Sequence, residues 1–403
     1  MASLLKDKII MKFSKKTKLI KTSPIRKLSG DAQIIKKQGI KVYHLNIGQP
    51  DLKISKSFFD AINNHKIENL DYTESEGISE LKNAISEYYK FYSLDFASED
   101  ILITDGASEA ILFSLLVTCD NNDNILVPEP FYSNYLNFAK IAGVQIKGIP
   151  SNKNYSLSDY NIISQMIDSN TRAILLSNPS NPTGHVYTKQ ELDIIKQIAI
   201  DYDLWIITDE AYRDFIYNDS EFISLASFKD IKDRVILIDS ASKRFSACGA
   251  RIGNIASKNK EFISEILKLC QSRLCLPLLE QIGATELYKC HPSSLDKSRL
   301  EYKKRRDLLY NELAYDPNFL CSKPEGAFYM IVKVPDVNTE KFAKWLINDF
   351  SYNNETVLIS PAKDFYITKG LGLDEIRLSF VLNIEDLKKA CDILKRGIRE
   401  YKK

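Results

Sequence analysis

Short, nearly continuous runs of Ile, Leu and Val recur between about residues 58 and 290, and longer stretches with helical spacing separate them. This alternation constrains the chain more than any other feature. Strands apolar on both sides belong in a sheet covered on both faces, and strands alternating with helices imply a mostly parallel sheet. The strand candidates are 101–104, 124–127, 144–149, 172–177, 204–208, 235–239 and 251–256. Residues 189–202 exemplify the intervening segments, with Leu192, Ile195, Ile198 and Ala199 at helical spacing. After residue 300 the order changes to a long polar helix, strand 326–334, helix 339–350, strands 356–359 and 375–381, and a closing helix. The expected organisation is an arm and partial small domain over 1–57, a large domain over 58–298, and a small α+β domain over 299–403.

Charge and cysteine usage narrow the function classes. The 403 residues carry 55 Lys or Arg against 53 Asp or Glu, so the whole chain lacks the cationic excess of a nucleic-acid binder. Residues 1–41 hold twelve Lys or Arg against Asp7 and Asp31. Aromatics are nearly absent from this stretch, which reads as a solvated arm and helix face rather than a nucleic-acid or membrane arm. The 7 Cys are scattered without a C-x-x-C pair, which fits a reducing, cytoplasmic setting. No run approaches the ~18–20 apolar residues of a membrane span. The 4 His stand far apart, and no metal site is expected.

In open α/β sheets ligands bind beyond the carboxyl ends of the strands, and polar inserts follow several of the apolar runs here. Asp105-Gly106-Ala107-Ser108-Glu109 opens a helix, either as an anion-binding helix start or as ordinary capping. Tyr132, in Pro128-Glu129-Pro130-Phe131-Tyr132, is a stacking ring or a packed aromatic. Asn178-Pro179-Ser180-Asn181-Pro182-Thr183-Gly184 aims Asn181 at a ligand or simply builds a turn. Asp209, followed by Glu210 and Tyr212, can hold a heterocyclic NH or cap a helix.

Most lysines are solvated surface groups, but Lys243 has an unusual setting. It follows a buried strand and the hydroxyls of Ser240 and Ser242, and it precedes the Gly249-Ala250-Arg251-Ile252-Gly253 stretch. A desolvated lysine with cationic neighbours becomes a nucleophile toward carbonyls, and Ser240, Ser242 and Arg251 can hold a phosphate. Pyridoxal phosphate requires a Schiff-base lysine, an acid for its pyridinium nitrogen, donors to its phenolic oxygen, a phosphate cradle and a ring against its face. All five are present.

With these motifs the chain, from Ser23 to Arg399, resembles the class I aminotransferases of fold type I, pyridoxal phosphate enzymes with a mostly parallel seven-stranded sheet and a smaller α+β domain. The stretch Ser240 to Gly253 is the most specific match, supported by Asn181-Pro182-Thr183-Gly184 and Asp209-Glu210-Ala211-Tyr212. The resemblance implies Lys243 as Schiff-base lysine and proton carrier, Asp209 as partner of the pyridine nitrogen, and Tyr212 and Asn181 as donors to the phenolic oxygen. It implies Gly106, Ala107, Ser108, Ser240, Ser242 and Arg251 around the phosphate. It also implies a homodimer with shared sites, in which Tyr72 reaches the partner's phosphate.

Arg377 lies in a period-2 stretch that puts Ile376, Leu378 and Phe380 on one face and Arg377 on the other. By resemblance it takes the substrate α-carboxylate, helped by the backbone near Gly48. The motifs Asn46 to Asp51 and Gly249 to Arg251 look most like bacterial-type aspartate aminotransferases. Aspartate and 2-oxoglutarate are therefore the expected substrates, with Arg26 as candidate for the distal carboxylate. Aromatic, kynurenine or alanine transamination, and C–S lysis, are the alternatives.

Overall fold

The computed structural model describes residues 13–218 and 222–403. The first twelve residues of the basic segment lie outside that range. Seven strands form the central sheet: β1 Ile101–Asp105, β2 Asn124–Pro128, β3 Gln145–Ile149, β4 Thr171–Ser177, β5 Trp205–Asp209, β6 Val235–Ser240 and β7 Ile252–Ala256. Their spatial order is β1-β7-β6-β5-β4-β2-β3. The sheet is parallel except for β7, which runs against both β1 and β6. Every strand lies within one residue of its expected ends, because each apolar run is bounded by turn-forming polar residues.

The helices used below are α1 Ser79–Lys90, α2 Gly106–Thr118, α3 Asn134–Ala142, α4 Lys189–Asp201 and α5 Ala241–Arg244. Side chains of β6 show why the strands needed apolar residues in succession. Ile236 and Ile238 pack with Ala110 and Leu115 of α2 on one face, while Leu237 between them packs with Tyr88 of α1 on the other. Helix α4 starts at a capping box, in which the Thr188 hydroxyl accepts from Glu191 N and the Glu191 carboxylate accepts from Thr188 N. Its Leu192, Ile195, Ile198 and Ala199 are all buried, as their spacing requires.

A second, antiparallel sheet contains β8 Tyr329–Lys333 and β9 Glu375–Ser379, with Arg377 opposite Ile331. Ile376, Leu378 and Phe380 enter a core with Leu28, Ala32, Val332 and Leu394, so the N-terminal segment packs with the C-terminal part of the chain. The polar helix expected after residue 300 begins at Asp296 and runs to Ala314. Strand Lys41–His44 pairs with Glu355–Leu358; Leu45 continues that ladder by donating to the Leu358 carbonyl at 2.9 Å, and its own carbonyl accepts from Ser379 N of β9 at 2.7 Å. This pairing carries residues 46–48 against β9. Among the described residues no helix is long and apolar enough to cross a membrane, and no group of three His, Cys, Asp or Glu is arranged to hold a metal.

Candidate active site

The carboxyl ends of β4, β5 and β6 lie side by side, with Ser177 opposite Asp209 and Asp209 opposite Ile238. Register alone therefore brings the loops bearing Asn181, Asp209 to Tyr212, and Ser240 to Lys243 to one edge of the sheet. Residues 46–48 and β9 approach that edge from the second sheet. The Lys243 amine donates to the Gly48 carbonyl at 3.0 Å, a contact across 195 positions. The Cys248 sulfur stands 3.8 Å from the same amine.

Asp209 is buried, and its Oδ2 accepts from the Tyr135 hydroxyl at 2.7 Å while Oδ1 accepts from Ala211 N at 3.2 Å. Burial raises its pKa above the ordinary carboxylate value, partly offset by those two bonds. A carboxylate in this condition gains most from a cationic NH partner. Tyr212 donates to or accepts from Tyr329 at 2.7 Å, and burial holds its pKa well above that of a free phenol. Tyr132 meets Tyr135 edge to face at 5.4 Å, and its hydroxyl accepts from Asn134 Nδ2 at 2.9 Å.

At the start of α2 the backbone is packed too closely for side chains. Gly106 opens α2 with φ +64°, and a Cβ there would lie 2.4 Å from Arg251 Nη2. A Cβ on Gly253 would lie 2.7 Å from Ala107 N. Arg251 itself adopts φ +55°, half exposed, with Nε 3.1 Å from Asp105 Oδ1. The Ser240 hydroxyl caps α5 by accepting from Ser242 N and donates to the Ser242 hydroxyl at 2.8 Å. Ala107 and Ser108 lie in the first turn of α2, where unpaired backbone NH groups favour an anion. Glycines, hydroxyls, an arginine and a helix start thus converge, and they fit a phosphate ester.

Arg377 is 1% exposed. Its Nη1 donates to Asn181 Oδ1 at 3.1 Å and its Nη2 to the Asn46 carbonyl. The guanidinium lies 4.3 Å from the Tyr329 ring centre and 5.1 Å from that of Phe365, and Nε has no partner among the described residues. Burial lowers its pKa from the usual arginine value. Among the described residues it meets no carboxylate. With Oδ1 committed to the guanidinium, what remains of the Asn181 amide is a donor, Nδ2. A Cβ on Gly48 would fall 2.0 Å from the Tyr329 hydroxyl, so only glycine fits between that ring and Lys243.

Two expected site residues stand apart from this group. Tyr72 is 82% exposed. Arg26 is also exposed, whereas its neighbour Ile25 packs against Phe365 and accepts from Asn46 Nδ2 at 2.6 Å. Tyr135, Tyr329 and Cys248 join the site without having been expected there. Tyr135 stands three residues after Tyr132 and its NH donates to the Tyr132 carbonyl at 2.9 Å, and that spacing is the only local signal it carries; Tyr329 carries none.

The sequence family described as aminotransferase class I and II matches residues 40–394. The chain belongs to this family. An aspartate aminotransferase of Bacillus subtilis is 28% identical over 97% of this chain and 100% of its own length. One from Pyrococcus horikoshii is 30% identical over 95% of this chain and 96% of its own. The structure of an alanine aminotransferase from Pyrococcus furiosus superposes with a TM-score of 0.87 at 30% identity, covering 96% of this chain and all of that one. The aminotransferase is therefore a pyridoxal phosphate-dependent enzyme of fold type I, acting on amino acids and 2-oxo acids.

Proposed function

We propose that this aminotransferase moves the amino group of L-aspartate to 2-oxoglutarate. The observation that carries the substrate class is Arg377, a buried guanidinium with an unpartnered Nε and, among the described residues, no carboxylate beside it. A planar fork held in place by Asn181 and the Asn46 carbonyl suits a substrate α-carboxylate. Bound pyridoxal phosphate would supply an electron sink for charge developing at the substrate α-carbon.

Around it, Lys243 holds and moves the α-proton, with its amine at the centre of the site beside the Gly48 carbonyl. Asp209 would keep the cofactor's ring nitrogen protonated, Tyr212 and Asn181 would donate to its phenolic oxygen, and Tyr132 would supply an aromatic ring beside it. Gly106, Ala107, Ser108, Ser240, Ser242 and Arg251 hold the phosphate. Tyr72, exposed in its own subunit, reaches the phosphate of the partner in a homodimer, and the domains divide after residues 57 and 298. The motif at residues 46–51 and the two aspartate aminotransferase relatives support the aspartate reading, which assigns the exposed Arg26 to the distal carboxylate.

A second reading has its own observation. Phe365 and Tyr329 flank Arg377 with aromatic surface, and Ile25 packs in the cluster with Phe365, which suits an alanine or aromatic side chain. The deciding experiment follows the visible absorption of the purified holoenzyme after addition of L-aspartate, L-alanine or L-phenylalanine without any oxo acid. Conversion to the pyridoxamine spectrum with aspartate at the highest second-order rate supports the proposal. Faster conversion with alanine or phenylalanine replaces it with the second reading, and release of pyruvate and ammonia would make the enzyme a lyase.

A further inference from the structure

Directly beneath the site lies a group of charges that the proposed chemistry does not use. Arg213, Arg244, Asp239 and Glu210 have fully buried side chains, and Asp214 is 1% exposed. Asp239 is the centre. It accepts from both Nη atoms of Arg244, at 3.0 and 3.1 Å, and lies 3.2 Å from Arg213 Nη2. Arg213 also lies 3.3 Å from Glu210. Arg244 Nε donates to Asp214, which accepts from the Tyr88 hydroxyl at 3.0 Å.

Charges buried this way contribute little net stability, because desolvation consumes most of the attraction; well-packed apolar residues often serve a fold as well or better. Their value lies in fixed geometry. Four of them adjoin a residue of the site in sequence: Glu210 follows Asp209, Arg213 follows Tyr212, Asp239 precedes Ser240, and Arg244 follows Lys243. The helix bearing Lys243, α5, has only 4 residues, far short of the roughly 12 that an isolated helix needs to persist. Something outside it must set its rotation. Neighbouring residues on a helix point about 100° apart, so clamping the Arg244 side chain below fixes the direction of Lys243 above. Burial pushes the Glu210 carboxyl up to about 7 even with Arg213 beside it, as expected of a dry cluster.

We propose that Arg244 is a positioning residue for Lys243, clamped by Asp239 and Asp214, and that Asp239 and Arg213 tie this clamp to the end of β5 that carries Asp209. The inference rests on the reading of Lys243 as the Schiff-base lysine. It assigns no contact between Arg244 and substrate.

The test uses the holoenzyme of Arg244→Lys, which keeps the charge but loses the fork. Displacement of a reacting group by ~1 Å can cost roughly 100-fold, so kcat should fall about 10- to 100-fold with KM for the amino donor within about threefold. The pH midpoint of the cofactor's visible band should also move, a change that loss of stability alone would not cause. A folded, cofactor-saturated Arg244→Lys enzyme with wild-type kcat and midpoint overturns the inference. If that variant does not fold, Asp214→Asn, which keeps the side-chain volume, takes its place: a lowered kcat with a moved midpoint supports the clamp, and wild-type values of both overturn it. Borohydride reduction of the wild-type holoenzyme followed by peptide mapping separates the two readings. Label on a lysine other than Lys243 defeats the functional assignment itself, whereas label on Lys243 with an unaffected Arg244→Lys enzyme defeats the positioning role alone.

Discussion

Replacing Tyr135 by Phe removes one hydroxyl and leaves the ring in place, which isolates the bond that supports Asp209. That bond is 2.7 Å long and buried at both ends. A hydrogen bond to a charged group is worth roughly 1.5–3 kcal/mol, and 1.36 kcal/mol corresponds to one pKa unit. Asp209 already titrates above the ordinary value because it is buried, so loss of the donor should raise its pKa by a further ~1–2 units. The sign follows directly. A carboxylate with a higher pKa is protonated over more of the acid range and no longer holds the ring nitrogen in its cationic form. The acid limb of the kcat profile should therefore shift to higher pH by about the same 1–2 units. Activity should recover toward wild type as the pH rises, and KM should change little because Tyr135 makes no contact with Arg377. The assay is steady-state transamination between about pH 5 and 9, with cofactor occupancy checked at each pH. A profile of Tyr135→Phe that superposes on that of the wild type, at full occupancy, would refute the argument that this bond supports Asp209.

Three further outcomes are expected. Arg377→Met keeps much of the volume but removes the fork, and a lost bidentate carboxylate contact of ~2–3 kcal/mol should lower kcat/KM for amino acids by roughly 30- to 150-fold; unchanged kcat/KM would exclude Arg377 from substrate binding. Gly106→Ala places a Cβ 2.4 Å from Arg251 Nη2 at φ +64°, and a left-handed residue with a side chain costs about 1–2 kcal/mol. Equilibrium titration of the apoenzyme should show cofactor affinity at least about fivefold weaker, and equal affinity would mean the cradle relaxes freely. Glu191 is held at about 2 from 4.5: burial opposes its ionisation, but the His185 ring and the Leu157 and Thr188 NH groups outweigh it. A depressed carboxylate stabilises the fold above about pH 4.5 and loses that contribution, up to ~3 kcal/mol, as the pH falls toward 2. Denaturant unfolding at pH 7 and pH 4 should therefore show Glu191→Gln less stable than wild type at pH 7 and the difference narrowing at pH 4; a gap independent of pH would contradict the assignment.

Much of the architecture was legible because it is local. Each strand of the central sheet is a run of apolar residues long enough to be buried on both faces, and the turn residues bounding it set its ends. The alternation around Arg377 put that residue on the face opposite Ile376 and Leu378, and the structure keeps it there. The motifs around Asn181, Asp209 and Lys243 were readable for the same reason, since parallel register brings strand ends to one edge wherever the strands fall in the chain.

What tertiary structure alone decided are contacts between distant positions. Tyr135 meets Asp209 across 74 residues and Tyr212 meets Tyr329 across 117, and neither pairing leaves a period in the sequence. The burial of Arg213 and Arg244 was equally invisible, because a charged residue in isolation is most cheaply solvated. Only the fold brings Asp214 and Asp239 close enough for those charges to leave water together. The same holds in reverse for Arg26 and Tyr72: a motif names the residue, but which way its side chain faces depends on which surfaces the rest of the chain has already filled.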